Sequence, residues 1–361
     1  MSERVFNFCA GPAALPLPVL EEAQRDLLAL PGVGMSVMEI SHRSKWFDEI
    51  LGEAEANLRE LLGLGDDHAV AFVQGGGQMQ FSMVPINFLA ADASADYVVT
   101  GSWSRKAAPE ADKEGAARVV WTGEEHNYDR VPTDAELELD PEASYLYFTS
   151  NETIQGVQFE EPPAADVALV CDASSDFLSR PLDLSRYGVY YACAQKNAGP
   201  AGLSVVILRR DFLERRKTGL HSMLDYGKHV EAGSRLNTPP TFAIYLFLLI
   251  TRWLKGPMGG LAAVEEFNRE KAALLYDVID ASPDFFLGHA LRDCRSTMNV
   301  TFRLPSDELD QRFLAEAEQN GLFQLKGHRS VGGIRASIYN AMPRDGVVAL
   351  RDFMVDFRDR S

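Results

Sequence analysis

The sequence predicts an α/β fold, a mostly parallel seven-stranded sheet flanked by helices, with a smaller α+β unit at the C-terminal end. From about residue 16 to residue 255, helix-period segments alternate with short apolar runs of strand character, and Lys255-Gly256-Pro257-Met258-Gly259-Gly260 then breaks the pattern. The expected division assigns residues 16–258 to a larger domain and residues 1–15 with 259–361 to a smaller one.

Taken in order, apolar residues at Val19, Leu20, Ala23 and Leu27, and then at Phe47, Ile50, Leu51, Ala54, Leu58, Leu61 and Leu62, recur with helical spacing. Strand-like runs follow at residues 69–73, 97–100, 118–122, 145–149, 167–171, 189–194 and 203–208. Helical or loop segments separate them, as in a parallel sheet covered on both faces. Residues 242–250 are the most apolar stretch, too short to span a bilayer and read as a buried helix. Beyond the break, a helix at 261–282, a strand at 298–304 and a helix at 306–320 make the smaller unit.

At 361 residues the chain exceeds the usual size of one domain, which is why two are expected. A formal net charge of −17 opposes a nucleic-acid or membrane-surface role, because phosphate would be repelled except at a local basic patch. Cys9, Cys171, Cys193 and Cys294 lack ligand-like spacing, so reduced thiols, a cytoplasmic setting and no metal site are expected. Residues 1–6 have no signal-peptide architecture.

Lys196 follows the apolar run 187–194 and precedes Asn197-Ala198-Gly199-Pro200-Ala201-Gly202. An amine held at a strand end in apolar surroundings loses hydration of its charged form and becomes a nucleophile; the alternative is a surface lysine just past a strand. Asp172 ends the preceding strand-like run, so two neighbouring strands deliver an amine and a carboxylate to one sheet edge. That pairing is what pyridoxal 5′-phosphate (PLP) chemistry requires, an amine for the aldehyde and an acid for the pyridine nitrogen. Asp172 could instead cap a helix.

Gln74-Gly75-Gly76-Gly77-Gln78 joins a strand to a helix start, either a phosphate cradle of outward-pointing amides or a plain tight turn. Trp103, after Gly101-Ser102, can stack on a flat ring or belong to the core. Asn237-Thr238-Pro239-Pro240-Thr241 is a polar, rigid corner, or simply the capped entrance of the apolar helix. His42-Arg43 and His328-Arg329, with Arg335 nearby, suit a substrate bearing several negative charges; each pair alone can equally be surface charge.

Together these segments resemble the phosphoserine aminotransferases, PLP-dependent enzymes of fold type I, the aspartate aminotransferase type. The resemblance runs through Asn7-Phe8, Gly11-Pro12-Ala13, residues 36–43, Asn151-Glu152-Thr153-Ile154, Ser179-Arg180-Pro181, Ala194-Gln195-Lys196-Asn197, residues 237–242, Lys326-Gly327-His328-Arg329 and residues 339–343. It implies that Lys196 forms the Schiff base, Asp172 partners the pyridine nitrogen, Trp103 stacks on the ring and Thr153 bonds its phenolic oxygen. Gly77, Gln78, Ser174 and Gln195 would hold the cofactor phosphate, with Asn237 and Thr238 reaching it from a second subunit of a homodimer with shared sites. Arg335 would bind the α-carboxylate, and His42, Arg43, His328 and Arg329 the phosphate of the keto acid or the side-chain carboxylate of glutamate. The implied activity is transamination between glutamate and 3-phosphohydroxypyruvate in serine biosynthesis. The phosphorylated keto acid of the 4-phosphohydroxythreonine step in vitamin B6 synthesis is left open as a second substrate. Gln78 stands where several relatives have arginine. Rival readings are another transaminase, a cysteine desulfurase using Cys294, or a catalytically silent protein of the same fold.

Overall fold

The computed structural model describes residues 4–361. Met1–Glu3, the start of the segment assigned to the smaller domain, lie outside the described residues. All seven expected strands form and pair into one sheet: β1 His68–Val73, β2 Ser94–Val99, β3 Ala116–Thr122, β4 Leu146–Thr149, β5 Leu169–Asp172, β6 Tyr187–Cys193 and β7 Ser204–Arg209. Their spatial order is β1-β7-β6-β5-β4-β2-β3, and only β7 runs against the rest.

Side chains alternate across the sheet, and each face finds its own cover. Val70, Phe72, Phe148, Cys171, Ala192 and Val205 pack against the helices Lys45–Leu62 and Thr241–Lys255. On the opposite face, Ala71, Tyr97, Tyr147, Val170, Tyr191 and Val206 lie beneath the helices Gly76–Phe88 and Ser102–Ala111. The tyrosines on that face satisfy their hydroxyls in pairs, Tyr97 with Tyr145 at 2.9 Å and Tyr147 with Tyr191 at 3.0 Å. Burial on both sides explains why the strands read as continuous apolar runs.

A separate apolar core gathers Phe8, Leu275, Phe302, Phe313 and Met354. Around it lie the helices Leu261–Ala281, Asp307–Gln319 and Arg344–Asp359 and an antiparallel sheet of Leu287–Gly288, Asn299–Arg303 and Ile334–Ser337. The N-terminal strand Phe6–Asn7 pairs in parallel with Leu322–Phe323. The chain then crosses to the large sheet, where the Ala13 amide donates to the Gln195 carbonyl at 2.9 Å. Among the described residues no helix is long and apolar enough to cross a membrane.

Candidate active site

Parallel strands end at the same edge of a sheet, where open α/β folds bind their ligands. Five deliver the site: β1 leads into Gly75-Gly76-Gly77, β2 into Trp103, β4 into Thr153, β5 ends on Asp172, and β6 precedes Lys196. Gly77, Gln78, Trp103, Asp172, Ser174, Gln195 and Lys196 line one cavity of about 210 Å³. Thr153 joins them through its hydroxyl, which accepts from Lys196 Nζ at 2.6 Å.

Lys196 is half-buried, more open than its apolar run predicts, and it lines the cavity. Its Nζ lies 5.1 Å from the centre of the Trp103 ring. Trp103 is likewise half-buried, part of the cavity wall as well as of the packed layer beside it. Asp172 caps no helix; a turn follows it, and its Oδ1 accepts from the Ser174 amide at 2.9 Å. The carboxylate is buried, and that burial raises its pKa above the ordinary range, while Lys196 and the Ser174 donors pull it back.

Gly75 and Gly76 have φ of +100° and +68°, the left-handed region that favours glycine. They start the helix Gly76–Phe88 without a side-chain cap, which leaves its first amides free for an anion. At Gly77 a Cβ would stand 3.3 Å from Ser174 Oγ and 3.9 Å from Asp172 Oδ2, so it would intrude on the cradle. The Nε1 of Trp103 and the Oε1 of Gln195 are buried without hydrogen-bond partners. An amine, a buried acid, an aromatic wall and an amide-lined anion cradle around one cavity fit a flat, phosphorylated pyridine aldehyde. They do not resemble a metal site, and no cluster of three or more potential ligands occurs among the described residues.

The anion-binding candidates fall into separate places. Arg335, on the strand Ile334–Ser337, lines a second cavity of about 280 Å³ with Ile154, Thr301 and Gly327, and its Nε is buried without a partner. His328 is half-buried; burial first, then the charges of Arg335, Lys106 and Arg329, lower its pKa. Arg329 is exposed. His42 and Arg43 line neither cavity, and Arg43 Nε donates to His42 Nε2 at 3.3 Å. Asn237 and Thr238 are exposed, although the Thr238 carbonyl accepts from Gln74 Nε2 at 3.1 Å. The following helix starts from Pro240 with no side-chain cap, so the corner is not a capped entrance.

Two residues escaped the sequence reading. Lys106 places its Nζ 4.5 Å from the Trp103 ring centre, and its position one turn along the helix from that indole was the available signal. Glu152, fully buried beside Thr153, accepts three hydrogen bonds from the Trp103 and Ser104 region. Cys294 is the residue a desulfurase reading would need exposed. It is buried, its thiol faces the Asp129 and Leu291 carbonyls, and burial raises its pKa.

The sheet, the strand-end lysine and the buried acid together define a PLP-dependent transferase of fold type I. The model of the class-V aminotransferases matches residues 5–350, and the chain belongs to that family, within its phosphoserine aminotransferase branch. It is 55% identical to the phosphoserine aminotransferase of Rhodopirellula baltica, over 99% of this chain and 96% of the relative. The solved phosphoserine aminotransferase of Bacillus circulans subsp. alkalophilus superposes with a TM-score of 0.97 at 48% identity, with both chains fully covered. The PLP-bound phosphoserine aminotransferase of Trichomonas vaginalis gives 0.93 at 41% identity, over 98% of this chain and all of that one.

Proposed function

We propose that this chain is a PLP-dependent transaminase that moves the amino group between glutamate and 3-phosphohydroxypyruvate, giving 2-oxoglutarate and O-phosphoserine. The observation that carries the reading is the convergence of Lys196, Asp172, Trp103 and the uncapped helix at Gly76 on one cavity. When bound there, PLP supplies an aldehyde for the amino group and an electron sink for the charge left at the substrate α-carbon.

The protein supplies position and protons. Asp172 would keep a proton at the pyridine nitrogen, Trp103 would pack against the ring, and the amides from Gly77 onward, with Gln78, Ser174 and Gln195, would hold the phosphate. Lys196 Nζ is the group that takes the α-proton and returns it, and Thr153 keeps that amine in place. Arg335 grips the α-carboxylate with its planar fork, which fixes the bond to be broken relative to the ring. His328 and Arg329, with His42 and Arg43 from a second protomer, meet the distal phosphate or carboxylate. Asn237 and Thr238 complete the phosphate site across the same homodimer interface. The exposure of all four of those partner-facing candidates except half-buried His42 suits groups that find their ligand only in an assembly. We assign the protein to the cytoplasm, and divide the chain into residues 16–258 and residues 1–15 with 259–361.

A coupled assay comparing O-phosphoserine with alanine, serine and aspartate as amino donors to 2-oxoglutarate tests the reading. Preference for O-phosphoserine is expected, and faster turnover of an unphosphorylated donor would overturn it.

A further inference from the structure

We propose that Glu152 is a positioning residue for the Trp103 indole, fixing the ring-stacking wall of the site in register with Thr153 and Lys196. Glu152 Oε2 accepts from the Trp103 amide at 3.0 Å, and Oε1 accepts from the Ser104 amide at 2.8 Å and the Ser104 hydroxyl at 2.7 Å. The carboxylate therefore occupies the N-terminus of the helix Ser102–Ala111, where free amides and the helix dipole favour negative charge. Gly101 permits this approach: a Cβ there would lie 2.6 Å from Glu152 Cδ, inside any allowed contact.

The next residues extend the joint. Gln155 Oε1 accepts from the Ser102 amide at 3.2 Å, and its Nε2 donates to the Ser102 hydroxyl at 2.9 Å. Glu152 precedes Thr153, whose hydroxyl holds Lys196. One hairpin, Asn151–Glu152 paired with Val157–Gln158, thus sets both the indole and the amine. A carboxylate is needed because every neighbour is a donor. Glutamine would turn an amide N–H₂ toward the amide of Trp103 or toward Ser104, and a donor facing a donor breaks the joint. The inference rests on the PLP reading above.

The test measures PLP affinity by equilibrium dialysis, and the visible circular dichroism of bound PLP, in wild type, Glu152→Gln, Trp103→Ala and the double variant. Glu152→Gln should weaken PLP binding about tenfold and reduce the dichroic band, yet change affinity less than about threefold once Trp103 is alanine and no ring is left to position. Loss of the same size in both backgrounds would make Glu152 a general structural group, and unchanged affinity and dichroism in Glu152→Gln would remove its role; either overturns the inference. Ser104→Ala, which deletes one donor to the same carboxylate, carries the comparison if Glu152→Gln does not fold, with the same two outcomes against it. Wild-type protein that fails to take up PLP would overturn the functional reading itself and this inference with it, whereas normal uptake by wild type and unchanged variants would overturn the inference alone.

Discussion

Lys196 and Thr153 are joined by a 2.6 Å hydrogen bond from the amine to the hydroxyl, linking the loop after β6 to the hairpin after β4. Thr153 is buried, and valine matches its shape without an acceptor. Thr153→Val should lower kcat about tenfold, by releasing the amine from its working position, and shift stability by less than about 1 kcal/mol. Steady-state kinetics beside a thermal melt checks both. A kcat equal to that of the parent would detach Thr153 from the chemistry.

Asp172 carries a different conflict. Its burial raises the folded pKa above the unfolded one, so the associated stability is fully present below the unfolded pKa and is lost as pH rises through the folded value. Above that value the cofactor-free protein holds a carboxylate in an unfavourable place. Asp172→Asn retains an Oδ1 for the Ser174 amide and should make the cofactor-free protein about 1–3 kcal/mol more stable at pH 7. Turnover should fall about 10³-fold, and the rise in Tm on adding PLP should shrink. Lower stability of the cofactor-free variant would contradict the assignment of burial as the dominant cause.

Much of this site was legible because strand ends leave marks in sequence. Two apolar runs lead to a residue their neighbours do not explain, Asp172 at the end of one and Lys196 just past another, and a sheet edge is where such residues meet. What stayed hidden depends on packing between distant segments. Glu152 stands in a motif whose neighbour Thr153 drew attention, but its partners lie 48 and 49 positions away in sequence. Ile334–Ser337 and Arg344–Asp359 leave weak marks in the sequence: the first is four residues long and carries Arg335, and the second mixes its apolar positions with many charges. Arg43, Asn237 and Thr238 are exposed, and nothing in the sequence around them states what covers them.

His328 gives a pH signature. Burial and the cations Arg335, Lys106 and Arg329 depress its pKa, so it is uncharged near neutral pH and gains a proton only as the solution turns acid. A phosphorylated substrate should therefore show a KM that falls as pH drops below the ordinary histidine range, and Lys106→Ala should move that transition upward by removing one cation. Arg329→Ala should raise KM for O-phosphoserine about tenfold while leaving PLP affinity intact. A KM profile insensitive to pH and unaltered by Lys106→Ala would separate His328 from the substrate.

Lys271 is a buried amine outside the proposed chemistry, and burial lowers its pKa well below the ordinary lysine value. It is fully buried on the helix Leu261–Ala281, and its Nζ donates to the carbonyls of Ile338, Tyr339 and Met342 at 2.8, 2.7 and 3.1 Å. Three carbonyls accept from the amine, and among the described residues no carboxylate offsets its burial. The bound segment includes Asn340, whose amide donates to Asn197 Oδ1 at 2.9 Å, one residue beyond Lys196. Methionine would fill the space but donate nothing, stranding three buried carbonyls. Removing a buried amine is in itself favourable, yet those oxygens lose their donor, so the second effect should dominate. Lys271→Met should destabilise the protein by about 2–4 kcal/mol in urea denaturation and speed amide exchange across residues 338–342. Stability within about 0.5 kcal/mol of the parent would mean that other donors replace the amine and that the clamp on the Asn197 loop does not depend on it.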